Sequence, residues 1–342
     1  MAPTPRARKR AGRATMADVA KLAGVSAITV SRLLRDPATV SDDLAARIRE
    51  AIDRLGYVPN LMAGGLAAAK SRIVGVIVPS IRNAFFAASV DALARALEPR
   101  GLSVFDASTE YDLAREDSLV ETMLAWNPAA LVLTGFAHGP RLPALLARAK
   151  LPVVEIWDTA GRPIDMAVGF DHRAVGRKVV RHLLAHGRKR IAFVGAMLES
   201  DTRAGARCEG MRQELEAAGL APLDVIDLPR SSNVGDGAAD FARLLDAPIR
   251  MEAAFFSNDI LALGALFECQ RRGVAVPDDI ALVGFGDQDF AAHSVPRLST
   301  VRPPREAIGR EAARLILARL DGEEPPAKTL DVGFELLIRD SG

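Results

Sequence analysis

From Ile73 onward, short apolar runs alternate with longer amphipathic stretches, and this alternation most narrows the folds open to the chain. IVGVIVP, LSVFDAS, AALVLTG and PVVEI are short, largely apolar runs that read as buried parallel strands, and FFAASVDALARALEPRG between the first two has a helical period. The alternation resumes with DMAVGFD, RIAFVGA, AAFFSND and IALVGFG. Strands spaced by helices predict a doubly wound α/β core with parallel sheets. About 270 residues exceed one such sheet, so two similar lobes are expected. Ligands in these folds bind beyond the carboxyl ends of strands. The loops to examine are therefore PSIRNAFF, the WD after PVVEI, ESDTRAGARCEG, SND and GFGDQD.

The 342 residues before and within this region exceed one domain's usual length. Hydrophobic residues at 49% and charged residues at 25% fit a folded chain and not a disordered one. No run approaches ~18 uncharged apolar residues, so no membrane helix is expected. The amino terminus MAPTPRARKRAGR has no apolar core behind its charges, which argues against a secretory signal and for a cytoplasmic, nucleoid-associated protein. Cys208 and Cys269 stand far apart and fit a reducing compartment. The five His are scattered, so neither a metal nor another cofactor is expected. The net charge of +1 hides an asymmetry: residues 1–70 hold 12 Lys/Arg against 6 Asp/Glu, the rest 32 against 37. A basic head on a mildly acidic body is the outline of a nucleic-acid reader, although RARKR by itself is also what a solvated charge run looks like.

The head spells out its own structure. In TMADVAKLAGVSAITVSRLL, Thr15 caps a helix with Asp18 three residues on, and Val19, Ala20 and Leu22 form the apolar side. Gly24 supplies the turn, Ser26 caps a second helix, and that helix continues through Thr29 to Leu34. This is a helix-turn-helix. On the second helix Val30, Leu33 and Leu34 fall on one side and pack inward, while Ala27, Ile28, Ser31 and Arg32 fall on the other. Arg32 has the donors for a guanine edge, and Ala27 and Ile28 have only apolar contact to offer a thymine methyl. A generic helical hairpin gives no reason for Ile28 to stay outside. A third helix is capped by Ser41, carries Leu44, Ile48, Ile52 and Leu55 as its buried stripe, and ends at Gly56.

ADVAKLAGVSAITVSRLL, then VS, then GYVPN and the segment LMAGGLAAAKS, resemble the head of the LacI (lactose repressor) family of bacterial transcription regulators. The resemblance extends from residue 15 to 342 and implies a small all-α helix-turn-helix head plus an α/β periplasmic-binding-protein-like core of two lobes. It places Thr15, Ser26, Ala27, Ile28, Thr29, Ser31, Arg32 and Asn60 at DNA, and Leu66 as a minor-groove wedge. The implied domains are a basic disordered arm (1–14), the DNA-binding domain (15–60), a hinge helix (61–71) and a core (72–342). Within the core the N-lobe takes about 72–170 and 303–329, and the C-lobe about 171–302 and 330–342. Gly64 and Gly65 weaken the hinge by ~1 kcal/mol each relative to Ala, so it is expected to order on DNA only. A plain linker would also tolerate them. VETMLAWNPAALVLTG, MAVGFDH, SNDILALGALFECQRRGVAVPDDIALVGF and PRLSTVRPP look most like the gluconate-utilisation repressors within the family.

Arg203 and Arg207 lie four apart at the start of a predicted helix, hence on one face, and two guanidinium groups suit a carboxylate or phosphate. The resemblance gives Arg207, ahead of Gly210, the place of the family's ligand-binding arginine, and Asn258 that of its hydroxyl-binding asparagine. It also sets Gly286 where neutral-sugar binders carry Asp, with Asp287 one later, which favours an anionic effector. Ser80, Asn83, Phe85, Phe86 and Trp157 are candidates for the opposite wall, the rings being core or wall alike, and Ser232 with Asn233 for a loop.

The expected protein is not an enzyme, since no GxxxxGK[ST] or GxSxG is present and GFGDQD lacks a third glycine. It is expected to be a homodimeric repressor of sugar-acid catabolism that leaves a palindromic double-stranded operator when a sugar acid such as gluconate binds. A different sugar or sugar phosphate, or an effector acting as corepressor, is the alternative. A sugar-binding transport protein fits the body but leaves the head without a use. LDVGFELLIRDSG reads as a last strand with no room for the heptad helix of tetrameric members.

Overall fold

The computed structural model describes residues 14–58, 71–81, 84–229 and 233–342. The chain separates into two compact units, Met1–Ser71 and Arg72–Gly342.

The first unit holds α1 (Met16–Ala23), α2 (Ala27–Arg35) and α3 (Asp42–Leu55). Thr15 and Asp18 form a reciprocal capping box: the Thr15 N–H donates to Asp18 Oδ2 at 2.9 Å and the Asp18 N–H to Thr15 Oγ1 at 3.3 Å. Gly24 closes α1 in the left-handed region at φ 66°, and Arg47 of α3 donates to the Ala23 carbonyl beside it at 2.6 Å. Ser26 Oγ accepts from the Thr29 N–H at 3.1 Å and starts α2. Val19, Ala20, Ala23, Val30, Leu33, Ile48 and Tyr57 fill the interior. Two expected core residues lie outside it, Leu22 at 43% exposure and Leu34 at 38%. Three short helices enclose only a narrow stripe, and Ala23 and Leu33 take those places. Ser41 occupies the cap position of α3 without a side-chain cap bond; Asp42 and Asp43 supply first-turn negative charge instead. Of the expected stripe, Ile48 is fully buried and Leu44, Ile52 and Leu55 are half-buried.

The second unit contains two sheets of the same winding. Strands β1 (Ile73–Val78), β2 (Ser103–Ser108), β3 (Ala130–Thr134), β4 (Val153–Ile156) and β5 (Met166–Gly169) form the first, in the order β2-β1-β3-β4-β5. Strands β6 (Ile191–Ala196), β7 (Val225–Leu228), β8 (Ala253–Phe256), β9 (Ala281–Phe285) and β10 (Ser299–Arg302) form the second, in the order β7-β6-β8-β9-β10. These ten strands pair in parallel throughout. In each sheet the order reverses beside the first strand, which opens a crevice at the carboxyl ends.

The helices that matter to the site are α4 (Ala84–Leu97), α5 (Leu113–Leu124) and α6 (Leu142–Ala149) in the N-lobe. Those of the C-lobe are α7 (His172–Ala185), α8 (Thr202–Ala217), α9 (Val234–Leu245) and α10 (Asp259–Arg272). The chain then returns to the N-lobe with α11 (Arg305–Leu320), which packs on α4. The expected last strand is two. β11 (Thr329–Asp331) adds parallel to β5, and β12 (Glu335–Leu337) adds antiparallel to β10. The final crossing to the C-lobe thus follows Asp331, two residues later than expected, because Gly333 at φ 68° makes the bend. Among the described residues, no helix is long and apolar enough to cross a membrane.

Candidate functional site

On α2 the outward side is exposed as expected, while of the inward side Val30 and Leu33 are buried and Leu34 is not. Ala27, Ser31 and Arg32 are exposed, and Ile28 is 72% exposed. Thr29 is half-buried with its hydroxyl 2.9 Å from that of Ser26, and Thr15 is exposed, so these three also serve the caps. An apolar side chain and a guanidinium one turn apart, on a helix held by its caps, match what a major groove requires. Asn60, Leu66 and the hinge lie outside the described residues, apart from Ser71, as does the arm up to residue 13.

In the core, the crevices of the two sheets meet in one cleft. Ile77, Thr109, Tyr111 and Thr134 line it from the N-lobe and Ser200, Thr202 and Arg203 from the C-lobe, around about 370 Å³ including the open mouth. Arg203 and Arg207 project from the first turns of α8 and both are buried. Arg203 reaches across to the N-lobe, donating from Nη1 to the Thr134 carbonyl at 3.4 Å, and its Nη2 pairs with Asp201 at 3.2 Å. Arg207 donates from Nη2 to the Ser257 carbonyl at 2.9 Å and lies 3.9 Å over the Phe285 ring. Its Nη1 is 2.9 Å from His172 Nδ1, and its Nε has no partner among the described residues. Burial, with Arg203 adding to it, lowers the Arg207 pKa to about 10.

His172 settles its own tautomer. Its Nε2 is 2.7 Å from the Trp157 carbonyl, which only accepts, so Nε2 carries the proton and Nδ1 accepts from Arg207. Burial and then Arg207 hold its pKa well below the ordinary value, so the ring stays neutral. The Trp157 to His172 bond joins the lobes, as does the approach of Phe85 to Phe285 at 6.3 Å. Trp157 turns its carbonyl this way by adopting φ 72° directly after β4, an uncommon conformation for a bulky residue.

The aromatic residues fall on the core side of the two roles open to them. Trp157 is 1% exposed and packed against Phe85 at 5.1 Å and Phe86 at 5.2 Å, so it is no open platform for a sugar ring. Ser80 is buried just past β1. Asn258 caps α10 through Oδ1, which accepts from the Leu261 N–H at 3.0 Å. Asp287 does not join the arginine pair: its carboxylate is held by Arg302 and by Arg339, each at 2.7 Å, against burial that alone would raise its pKa. The cleft is thereby left without that negative charge. Asp259 beneath this loop accepts from the Thr300 hydroxyl at 2.6 Å and the Gln288 N–H at 2.8 Å, and burial raises it to about 6. Asn83 and Ser232 lie outside the described residues, and Asn233 caps α9. Sequence reasoning missed His172; the signal was a histidine directly after a buried strand and an Asp cap, in GFDH.

A helix-turn-helix reader and a two-lobed core of periplasmic-binding-protein type, carried on one chain, define a DNA-binding regulator. A model of the bacterial regulatory proteins of the lacI family matches residues 15–60, and one of a periplasmic binding protein-like domain matches residues 180–342. The chain is 42% identical over 332 residues to the HTH-type transcriptional regulator GntR of Pseudomonas aeruginosa, covering 96% of each. It is 38% identical to GntR of Escherichia coli K12, covering 95% of this chain and 97% of the other. The crystal structure of a LacI family transcriptional regulator from Silicibacter pomeroyi superposes with a TM-score of 0.91 at 33% identity, over 96% of this chain and 99% of the other. The chain belongs to the LacI family and is a DNA-binding transcription regulator.

Proposed function

We propose that this regulator represses sugar-acid catabolism genes and leaves a palindromic operator when gluconate, or a phosphorylated or oxidised relative, enters the interlobe cleft. The observation that carries the reading is the pair of buried arginines on one face of α8, one with an Nε unpartnered among the described residues, which share a single paired carboxylate, Asp201 on Arg203, while Asp287 is held away by Arg302 and Arg339. A carboxylate is the natural partner for such a pair, and hydroxyls suit Asn258 and Thr109. The gluconate-repressor motifs of the sequence and the GntR name of two relatives agree with it. A homodimer follows from the palindrome, since two heads must meet two half-sites. A ligand that prefers the DNA-free form 100-fold contributes about 2.7 kcal/mol of coupling.

The test is fluorescence anisotropy on an operator selected by the protein from random DNA. Adding gluconate should release wild-type protein, and Arg207→Ala should stay bound at the same concentration. Tighter operator binding on adding the acid would overturn induction, and a normal response of Arg207→Ala would overturn the assignment of the pocket.

A further inference from the structure

His138, in the loop between β3 and α6, is bonded through both ring nitrogens. Nδ1 meets Glu116 of α5 at 3.0 Å and Nε2 meets Glu155 of β4 at 3.0 Å, with all three side chains buried. Both partners are carboxylates, so each nitrogen faces an acceptor and the ring holds both protons; a neutral ring would turn a lone pair onto an oxygen. Burial opposes that charge, and the two carboxylates outweigh it, lifting the pKa to about 9. Backbone N–H groups take further lone pairs, Gly139 on Glu116 at 3.2 Å and Ile164 on Glu155 at 2.5 Å. The triad therefore carries one net negative charge.

Its position gives that charge a consequence. Glu116 lines the interlobe cleft together with Thr134, Ala137 and Arg203, and Ala137 is the residue before His138. Thr134, whose carbonyl accepts from Arg203, begins the same loop. An anion entering beside Arg203 thus meets a carboxylate on the facing wall. We infer that His138 is the charge-balancing and positioning residue of the anion site: it neutralises Glu116, leaving it a hydroxyl acceptor and not a repelling charge, and fastens the Thr134–Gly139 loop against Arg203. This rests on the sugar-acid reading of the cleft.

Isothermal titration of the full chain with gluconate, at low ionic strength and neutral pH, tests it with four proteins: wild type, His138→Gln, Glu155→Gln and the double variant. His138→Gln adds one net negative charge beside the cleft and should weaken binding about tenfold. Glu155→Gln removes a negative charge and should bind at least as well as wild type. The double variant restores the original charge and should recover most of the loss, which a purely mechanical clamp would not do. Unchanged affinity in His138→Gln overturns the inference, as does a tenfold loss in Glu155→Gln; the latter decides the matter alone should His138→Gln fail to fold. If wild type takes up no gluconate, the sugar-acid reading itself fails and the inference with it.

Discussion

Gly210 stands where α8 crosses α7, three residues beyond Arg207, and its replacement by alanine has a cost that follows from the backbone. A Cβ there would lie 2.8 Å from both Cα and the carbonyl carbon of Arg173, and closer still to that residue's oxygen. On the facing helix a Cβ at Gly176 would come within 2.7 Å of the Met211 nitrogen and close upon the Arg207 carbonyl. The obstruction is main chain, which no rotamer change relieves, so the helices must separate. Overpacking costs about 1–3 kcal/mol, here the upper end, and alanine's better helix propensity returns about 1, leaving about 2 kcal/mol lost. For a domain of this size that is a fall in Tm of roughly 4–8 °C. Because α8 carries Arg203 and Arg207, gluconate affinity should fall with it. Thermal unfolding of the full chain reads the first effect and calorimetric titration the second. Gly235→Ala is the control, since a methyl there meets only the Asn233 side chain at 3.2 Å. A Gly210→Ala protein that melts at or above the wild-type temperature would refute the reasoning.

Two further outcomes follow. Arg32→Ala should cost ~1–3 kcal/mol on the selected operator and relax preference at one base pair per half-site; equal losses on operator and random DNA would reduce Arg32 to a phosphate contact. His138 holds its proton more tightly in the folded chain, with a pKa of about 9 against an ordinary 6.5, so its contribution is full below 6.5 and lost as pH rises through 9. The Tm difference between wild type and His138→Gln should therefore close as pH climbs through that window, and a gap that persists above it would mean the ring is not held as a cation.

The head was legible because local rules decide it. Thr15, Asp18, Gly24 and Ser26 act on neighbours within a few residues, and the outward position of Ile28 follows from helical period alone. The sheets were legible because their central strands are buried on both faces and rich in apolar residues; LSVFDAS, expected to be buried as well, forms the edge strand β2 and is largely exposed, as edge β7 is in part, because an edge has a neighbour on one side only. The cleft was less so. Arg203 and Arg207 were readable as a spacing, but their buried positions break the apolar stripe of α8 and conceal how that helix packs. His172, His138, Glu116 and Glu155 come from four separate elements, and only the winding of the sheets brings them into register. Likewise Asp287 found its arginines at positions 302 and 339, a pairing no local pattern announces.

The glycines explain how such dispersed residues are held in place. Gly237 and Gly264 bring α9 and α10 into main-chain contact as Gly176 and Gly210 do for α7 and α8, and Gly309 of α11 meets Ser89 and Leu93 of α4 in the same way. In each pair one helix carries, in its first turns or at its cap, residues in or behind the cleft: the core rings Phe85 and Phe86 on α4, Arg203 and Arg207 on α8, the candidate Asn258 at the start of α10. The contact point lies only a few residues further along. Helices separated by side chains keep their axes about 8–10 Å apart and shift when those side chains repack. Helices touching through their backbones have no such freedom, so the ends that project into the cleft inherit the rigidity of the sheets behind them. The groups within each lobe are thus held independently of the bonds that join the lobes, Arg203 to Thr134 and His172 to Trp157.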